Sequence, residues 1–217
     1  MKKYRQVGFN IKQTPFAVIG NSKCGKTNTL SIILNQIAGN YKIYLFDSKF
    51  MELYRFKIRD NLSYVDNETL PTFMEEMTSL VEKRKEQLKQ ALMENEMINS
   101  RMYYQSLEPI IVVIDTLADI EELMTTNRTL SALLSETIDV GVKYIVGMNS
   151  ESSRGIDVFS KKIKGTSNGL VLGNLGTTGI FANVNTKEIN AIGIGFLVSD
   201  GLPIKVKLAK EGDNSDE

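Results

Sequence analysis

Residues 20–27 read Gly-Asn-Ser-Lys-Cys-Gly-Lys-Thr and satisfy G-x-x-x-x-G-K-[ST] at every fixed position. An apolar run, Phe16-Ala17-Val18-Ile19, leads into the segment. From Lys26 onward Leu30, Ile33, Leu34 and Ile37 recur on one helical face until Gly39 stops it. Strand, glycine loop and helix in that order form the context in which this pattern holds phosphate. The two glycines let the backbone wrap closely round an anion with its N–H groups pointing inward. The new helix adds the positive end of its dipole. Lys26 brings a point charge for β- and γ-phosphates, and Thr27 a hydroxyl for Mg2+. Gly20, Asn21, Ser22, Lys23, Cys24, Gly25, Lys26, Thr27 and Asn28 are therefore the expected nucleotide-binding residues. Cys24 beside two lysines at a helix start has two readings. One is a thiol with a lowered pKa; the other, which we favour, is a small residue that fits the loop.

The rest of the composition narrows the options. A chain of 217 residues, 42% hydrophobic, can bury a full core as one domain. Lys+Arg and Asp+Glu both number 26, so no bulk charge draws it to nucleic acid or acidic lipid. There is no histidine, which excludes His-based acid–base and metal chemistry. The single cysteine, Cys24, cannot form an internal disulfide and suits a reducing compartment. No apolar run approaches a membrane span, so no direct membrane insertion by this segment is expected.

Along the chain, residues 1–13 read as an arm, 14–210 as the ATPase-type domain and 211–217 as an acidic, frayed tail. Strands are expected at 42–46, 61–65, 110–115, 142–148, 169–172, 194–198 and 204–208. Helices are expected at 128–138 and 159–164, with one long amphipathic helix over 68–103, broken at most once. The Gly-rich stretch 165–179 should be mostly loop. Strands alternating with helices give an α/β fold, a RecA-like P-loop NTPase. Its mostly parallel central sheet carries helices on both faces and extra C-terminal strands. Asp115, closing the run Ile110-Ile111-Val112-Val113-Ile114, suits the Mg2+-shell carboxylate called Walker B. The guanine-reading N-K-x-D and D-x-x-G signatures do not occur. The strand at 43–46 and the long helix after it separate the P-loop from Asp115, as in RecA-like motors.

At this level the sequence resembles the FtsK/SpoIIIE ATPases. Asp47-Ser48-Lys49-Phe50-Met51-Glu52-Leu53 is similar to their D-P-K-x-x-E-L segment, and Lys83-Arg84 to M-x-x-R. Asp115-Thr116-Leu117-Ala118-Asp119-Ile120 is similar to D-E-L-A-D-L, and Gly193-Ile194-Gly195-Phe196-Leu197 to a late G-x-G-x-L strand. The resemblance implies ATP with Mg2+ as ligands. Its departures matter equally. Thr116 stands where the family has the glutamate that orients the attacking water. Asn149 stands at the sensor glutamine, and the G-R-A and D-S-R motifs have no counterpart near residues 137–141 and 176–179.

Such erosion is similar to the C-terminal ATPase domains of type VII protein secretion motors. That likeness implies a cytoplasmic domain of a membrane-anchored parent protein. Its implied partners are WXG-motif secretion substrates and neighbouring ATPase domains of the same motor, with a ring oligomer in the full-length protein. Asn149 either bonds a γ-phosphate or water, or is an ordinary strand-end residue. Asp119 is either a stand-in base or a structural carboxylate. Arg128 and Arg154 are the weak finger candidates. Three functions stay open: an ATP-binding secretion-motor domain with weak or absent hydrolysis, an active DNA translocase, and an interaction domain that has lost nucleotide. Neutral charge and the missing G-R-A arginine weigh against the second, and the full P-loop against the third.

Overall fold

A computed structural model of the chain describes residues 7–149, 157–174, 180–181, 183–187 and 191–209. Arg154, most of the Gly-rich loop beyond residue 174 and the acidic tail lie outside the described residues. Eight strands form one sheet: β1 (Phe16–Gly20), β2 (Lys42–Phe46), β3 (Leu62–Tyr64), β4 (Ile110–Ile114), β5 (Lys143–Met148), β6 (Asn168–Leu172), β7 (Ile194–Ser199) and β8 (Leu202–Lys207). Their order is β3-β2-β4-β5-β1-β6-β7-β8, parallel from β3 to β6 and antiparallel through β7 and β8. The α/β fold and the extra C-terminal strands are as expected from sequence.

The helices are α1 (Lys26–Ile37), α2 (Leu70–Glu94), α3 (Ser100–Ser106), α4 (Leu117–Thr126), α5 (Arg128–Asp139) and α6 (Val158–Lys164), with a 3₁₀ turn over Tyr54–Ile58. The inner strands are buried on both faces, which is why they read as continuous apolar runs rather than alternating ones. Alternation decides which face each residue serves. Ala17 and Ile19 join a core with Phe73 and Met77 of α2, Ile120 of α4, Leu130 and Leu134 of α5, and Phe159 of α6. Phe16 and Val18 join the opposite core with Leu30, Ile33 and Leu34 of α1 and Phe56 of the 3₁₀ turn. Phe9 of the N-terminal arm stacks on Phe16 with ring centroids 4.0 Å apart, so the arm is tied to this second core.

The long helix does break once. Asn95 leaves helical geometry, and the Asn99 side chain then caps α3 by accepting from the Met102 N–H. Its apolar stripe is narrow, with only Phe73, Met77, Val81 and Arg84 buried. Arg84 is 5% exposed and donates to the carbonyls of Val140 and Glu108, both at 2.8 Å. The arginine of the M-x-x-R-like element is thus a brace between α2 and the turns that precede β4 and β5. Helix α4 is an addition to the sequence reading. Leu117, Ile120 and Met124 do fall at i, i+3 and i+7, but the segment is short and follows the Asp115 turn directly. β8 is exposed at most positions and, among the described residues, pairs with β7 alone.

One correction concerns the strand placed between the phosphate loop and the Walker B strand. In sequence β2 lies between them, but in space the intervening strand is β5, which pairs with β1 on one side and β4 on the other. The separation holds, made by a strand that comes after Asp115 in the chain.

Candidate nucleotide site

Because β1, β2, β4 and β5 run parallel, their C-terminal ends open on one edge of the sheet. Register sets who meets there: Ile19 is opposite Met148, and Ile114 opposite both Val146 and Phe46. The loops that follow therefore converge, and they carry residues 20–25, 47–53, 115–116 and 149. Three of the four were expected on sequence grounds.

The first loop is shaped by conformations that ordinary residues avoid. Gly25 has φ 103°, and Lys23 takes φ 63°. Gly20 is required for a different reason: a Cβ there would lie 2.2 Å from Cys24 Sγ and 3.1 Å from the Leu172 carbonyl oxygen. Cys24 itself is 8% exposed and packs in the second core. Burial raises its thiol pKa, and the nearby Lys26 charge only partly opposes this. The lowered thiol pKa allowed for on sequence grounds is corrected: desolvation outweighs the Lys26 charge, and Cys24 is the small packing residue of the loop. Lys26 Nζ donates to the carbonyls of Gly20 and Asn21, both at 2.9 Å. It folds back over the loop and occupies those two oxygens. Thr29 Oγ1 donates to the Gly25 carbonyl at 2.9 Å, locking the first turn of α1. Asn28 Nδ2 donates to the Ala209 carbonyl at 3.1 Å, which links that turn to the chain beyond β8.

The second loop, residues 47–53, is shaped by a carboxylate. Asp47 accepts from the Ser48 N–H at 2.9 Å, the Leu53 N–H at 3.1 Å and the Tyr64 hydroxyl at 3.1 Å. Burial raises its pKa, and these three donors pull the other way. Met51 stands in the left-handed region at φ 55° and its N–H donates to the Ser48 carbonyl at 2.9 Å, while Leu53 is fully buried. Glu52, between them, is carried to the phosphate loop, where its Oε2 accepts from Thr27 Oγ1 at 3.0 Å. Glu52 and Asp47 belong to the D-S-K-x-x-E-L stretch, yet neither had been placed among the site residues; the motif was the signal.

Asp115 is 4% exposed, and burial pushes its carboxyl above the ordinary range, with Asp47 and Glu52 adding to the rise. The buried Ser48 hydroxyl lies close enough to ease the Asp115 charge but misses hydrogen-bond geometry, so we count its oxygen as unsatisfied. Thr116 is extended at φ −137° and precedes α4 without capping it through its side chain. Asp119 Oδ2 accepts from the Lys49 N–H at 3.2 Å, which ties the second loop to α4. Asn149 follows β5, half-buried, at the same edge as Gly20 and Asp115. Arg128 is exposed at the start of α5.

The donor set fits a magnesium–nucleotide pair. Thr27, Glu52, Ser48 and Asp115 offer hard oxygen donors, and a buried carboxylate with an unsatisfied hydroxyl beside it is an arrangement a divalent cation would relieve. Among the described residues no group of three or more His, Cys, Asp or Glu side chains can cage a metal alone. This suits Mg2+, which keeps waters and phosphate oxygens in its shell. Two clefts on the surface of the described residues lie elsewhere. One of about 480 Å³ runs between α2 and α3, lined by Leu88, Leu92, Met93 and Tyr104. The other lies along α2 beside Lys42 and Tyr44.

No family model matches the chain, and no curated protein matches it. Solved structures do. The cytoplasmic domain of EssC superposes with a TM-score of 0.78 at 20% identity over 94% of this chain and 41% of that one. EssC ATPases 2 and 3 from Geobacillus thermodenitrificans give 0.73 at 21%, over 94% and 38%. EccC ATPases 2 and 3 from Thermomonospora curvata, in complex with a signal sequence peptide, give 0.61 at 19%, over 94% and 38%. The chain shares the fold of these EssC and EccC ATPase domains. The present chain spans about two fifths of the length of each. In wording, Ile19-Gly20-Asn21-Ser22 and the stretch from Ile192 to Gly201 resemble EssC.

Proposed function

We propose that the chain is an ATP-binding motor domain of a type VII protein secretion system that hydrolyses ATP weakly or not at all by itself. It would act in substrate recognition or motor regulation, on the cytoplasmic side of a membrane-anchored parent. The observation that carries the reading is the convergence of a complete phosphate loop with Asp115 at one sheet edge, where Thr116 offers no carboxylate. Gly20 to Asn28 hold the phosphates, with Lys26 swinging from its two carbonyls to the anion. Thr27 and Asp115 hold Mg2+, which when bound would neutralise charge on the β- and γ-phosphates. Asn149 faces the γ-phosphate or its water. Asp119, engaged with Lys49, serves as a positioning carboxylate before it serves as a base.

Slow turnover follows from two gaps. A threonine hydroxyl accepts a proton far less readily than a carboxylate, and general-base help is typically worth about 10²–10⁴-fold. A missing arginine finger costs roughly 10³–10⁵-fold, and none of the described arginines stands at the nucleotide edge in a matching motif. Steady-state phosphate release by wild type, Lys26→Ala and Thr116→Glu tests this. Background-level release in the wild type and a gain in Thr116→Glu are expected. Turnover of about one per second in the wild type, abolished by Lys26→Ala, overturns it.

Partners follow from the same likeness: WXG-motif secretion substrates and neighbouring ATPase domains. The apolar cleft between α2 and α3 supports a peptide-binding role. Its lining residue Met93 and the flanking Met97 and Met102 are 74%, 91% and 68% exposed, adaptable side chains left at the surface rather than packed. Met77 of the same helix is core, and Met74 is half-buried. Pull-down with the intact chain should recover a small helical secretion substrate, and Leu92→Asp should abolish the capture.

A further inference from the structure

We infer that Glu52 is a positioning residue for the magnesium ion: by taking the Thr27 hydroxyl proton in a hydrogen bond, it leaves a Thr27 lone pair to face the metal. The inference rests on the nucleotide site proposed above and deepens it. A threonine hydroxyl has one hydrogen and two lone pairs, and as a metal ligand it must give the hydrogen away from the ion. Here the acceptor is Glu52 Oε2 at 3.0 Å from Thr27 Oγ1, while Asp115 receives no hydrogen bond from Thr27. Groups one step behind a ligand fix its orientation, and their removal typically costs about 10–100-fold in metal affinity.

Glu52 is exposed, but its place is not loose. The residue before it is held in the left-handed region, and the residue after it is fully buried. Asp47 ties the two ends of the loop together, and the Lys49 N–H fastens its middle to Asp119. Three separate bonds thus present one carboxylate to one hydroxyl. Charge gives a second reason. Asp47, Glu52 and Asp115 are close enough to act on one another, and Lys26 is the cation that offsets them. Glu52 therefore repels bare phosphates and favours them only with a divalent cation, in the pocket where Thr116 supplies no second carboxylate.

The experiment is calorimetric titration of ADP into the intact chain, with Mg2+ and with EDTA, for wild type, Glu52→Gln, Thr27→Val and the double variant. Melting curves without ligand establish that each is folded. In the wild type, Mg2+ should tighten ADP binding. In Glu52→Gln that gain should shrink about tenfold while EDTA binding stays level or tightens. Thr27→Val should erase the gain, and adding Glu52→Gln to it should change nothing further. Equal loss with and without Mg2+ would mean a merely structural loop residue, and an undiminished gain would mean no role; either overturns the inference alone. A wild type that binds no ADP under either condition overturns the nucleotide reading itself, and this inference with it.

Discussion

Two loops leave the same edge of the sheet, from strands with β4 and β5 between them, and meet at one point, yet they are built on opposite principles. The loop after β1 is shaped by glycine and by unusual backbone angles, and it carries a lysine folded back on two of its own carbonyls. The loop after β2 is shaped by a buried aspartate that gathers two N–H groups and a tyrosine hydroxyl, and it points a carboxylate outward. One makes a place for an anion, the other for a cation. The single bond from Thr27 to Glu52 joins them. A site for a metal-bound polyphosphate needs both signs of charge, and this fold assigns each to its own loop.

The comparison breaks first at Lys26. Replacing it with alanine should weaken nucleotide binding about ten- to a hundredfold, since hydrogen bonds to charged groups are worth roughly 1.5–3 kcal/mol and 1.4 kcal/mol is a factor of ten. Stability without ligand should change less, because, of the two carbonyls it leaves, only that of Gly20 is part-buried and that of Asn21 is exposed. Calorimetry with ADP reads the first, and urea unfolding the second.

Asp47→Ala is the counterpart in the other loop and should show the reverse pattern. Three donors lose their acceptor, costing about 2 kcal/mol of stability. Metal-free nucleotide binding should persist, because the glycine loop is untouched. A loss of ADP binding in EDTA as large as that of Lys26→Ala would show that the two loops are not separable. Gly20→Ala sharpens the point on the first loop. The added Cβ must displace Cys24 Sγ, and the cost should be about 1–2 kcal/mol. Adding Cys24→Ala should recover part of it.

The smallest expected effect lies away from both loops. Glu76 is held below the usual carboxylate range by the Tyr44 hydroxyl and then Lys42, and Tyr44 is pushed up to about 12, chiefly by burial. A carboxylate lowered in the folded state contributes stability above its unfolded value and loses it as the pH falls through the folded one. Both side chains of the Lys42–Glu76 pair are about half exposed, so solvent screening keeps the contribution under about 1 kcal/mol. Glu76→Gln should trim stability slightly at neutral pH, with the difference from wild type closing in acid. Because it lies outside the site, it should leave ADP affinity unchanged and serve as the control for the other variants.

Much of this was legible in the sequence. The phosphate loop was, because its constraint is local: the glycines, the lysine and the hydroxyl must stand at fixed spacing to work at all. The buried strands were, because burial on both faces writes itself as unbroken apolar runs. Asp115 was, because it ends such a run. What was not legible depended on meeting in space. That β5 rather than β2 stands between β1 and β4 is a matter of strand order, which periodicity does not encode. Glu52 could be matched to a motif, but its partner Thr27 is 25 residues away and only the register of β1 and β2 within the sheet brings them together. Cys24 was partly misread for a related reason. Its neighbours in sequence are cations, whereas its surroundings in space are apolar.

The outer margins of the sheet carry a consequence of their own. An unpaired strand edge is a template on which another chain can add, and proteins guard against it with short strands, proline and lysine. At one margin β3 offers only three residues. At the other, β8 carries Pro203, Lys205 and Lys207 among its six. Proline has no N–H to donate, and two lysines cannot be brought against a second sheet without stranding their charge. Both margins of the described sheet therefore resist the addition of a further strand, which disfavours merging with the sheet of a second copy.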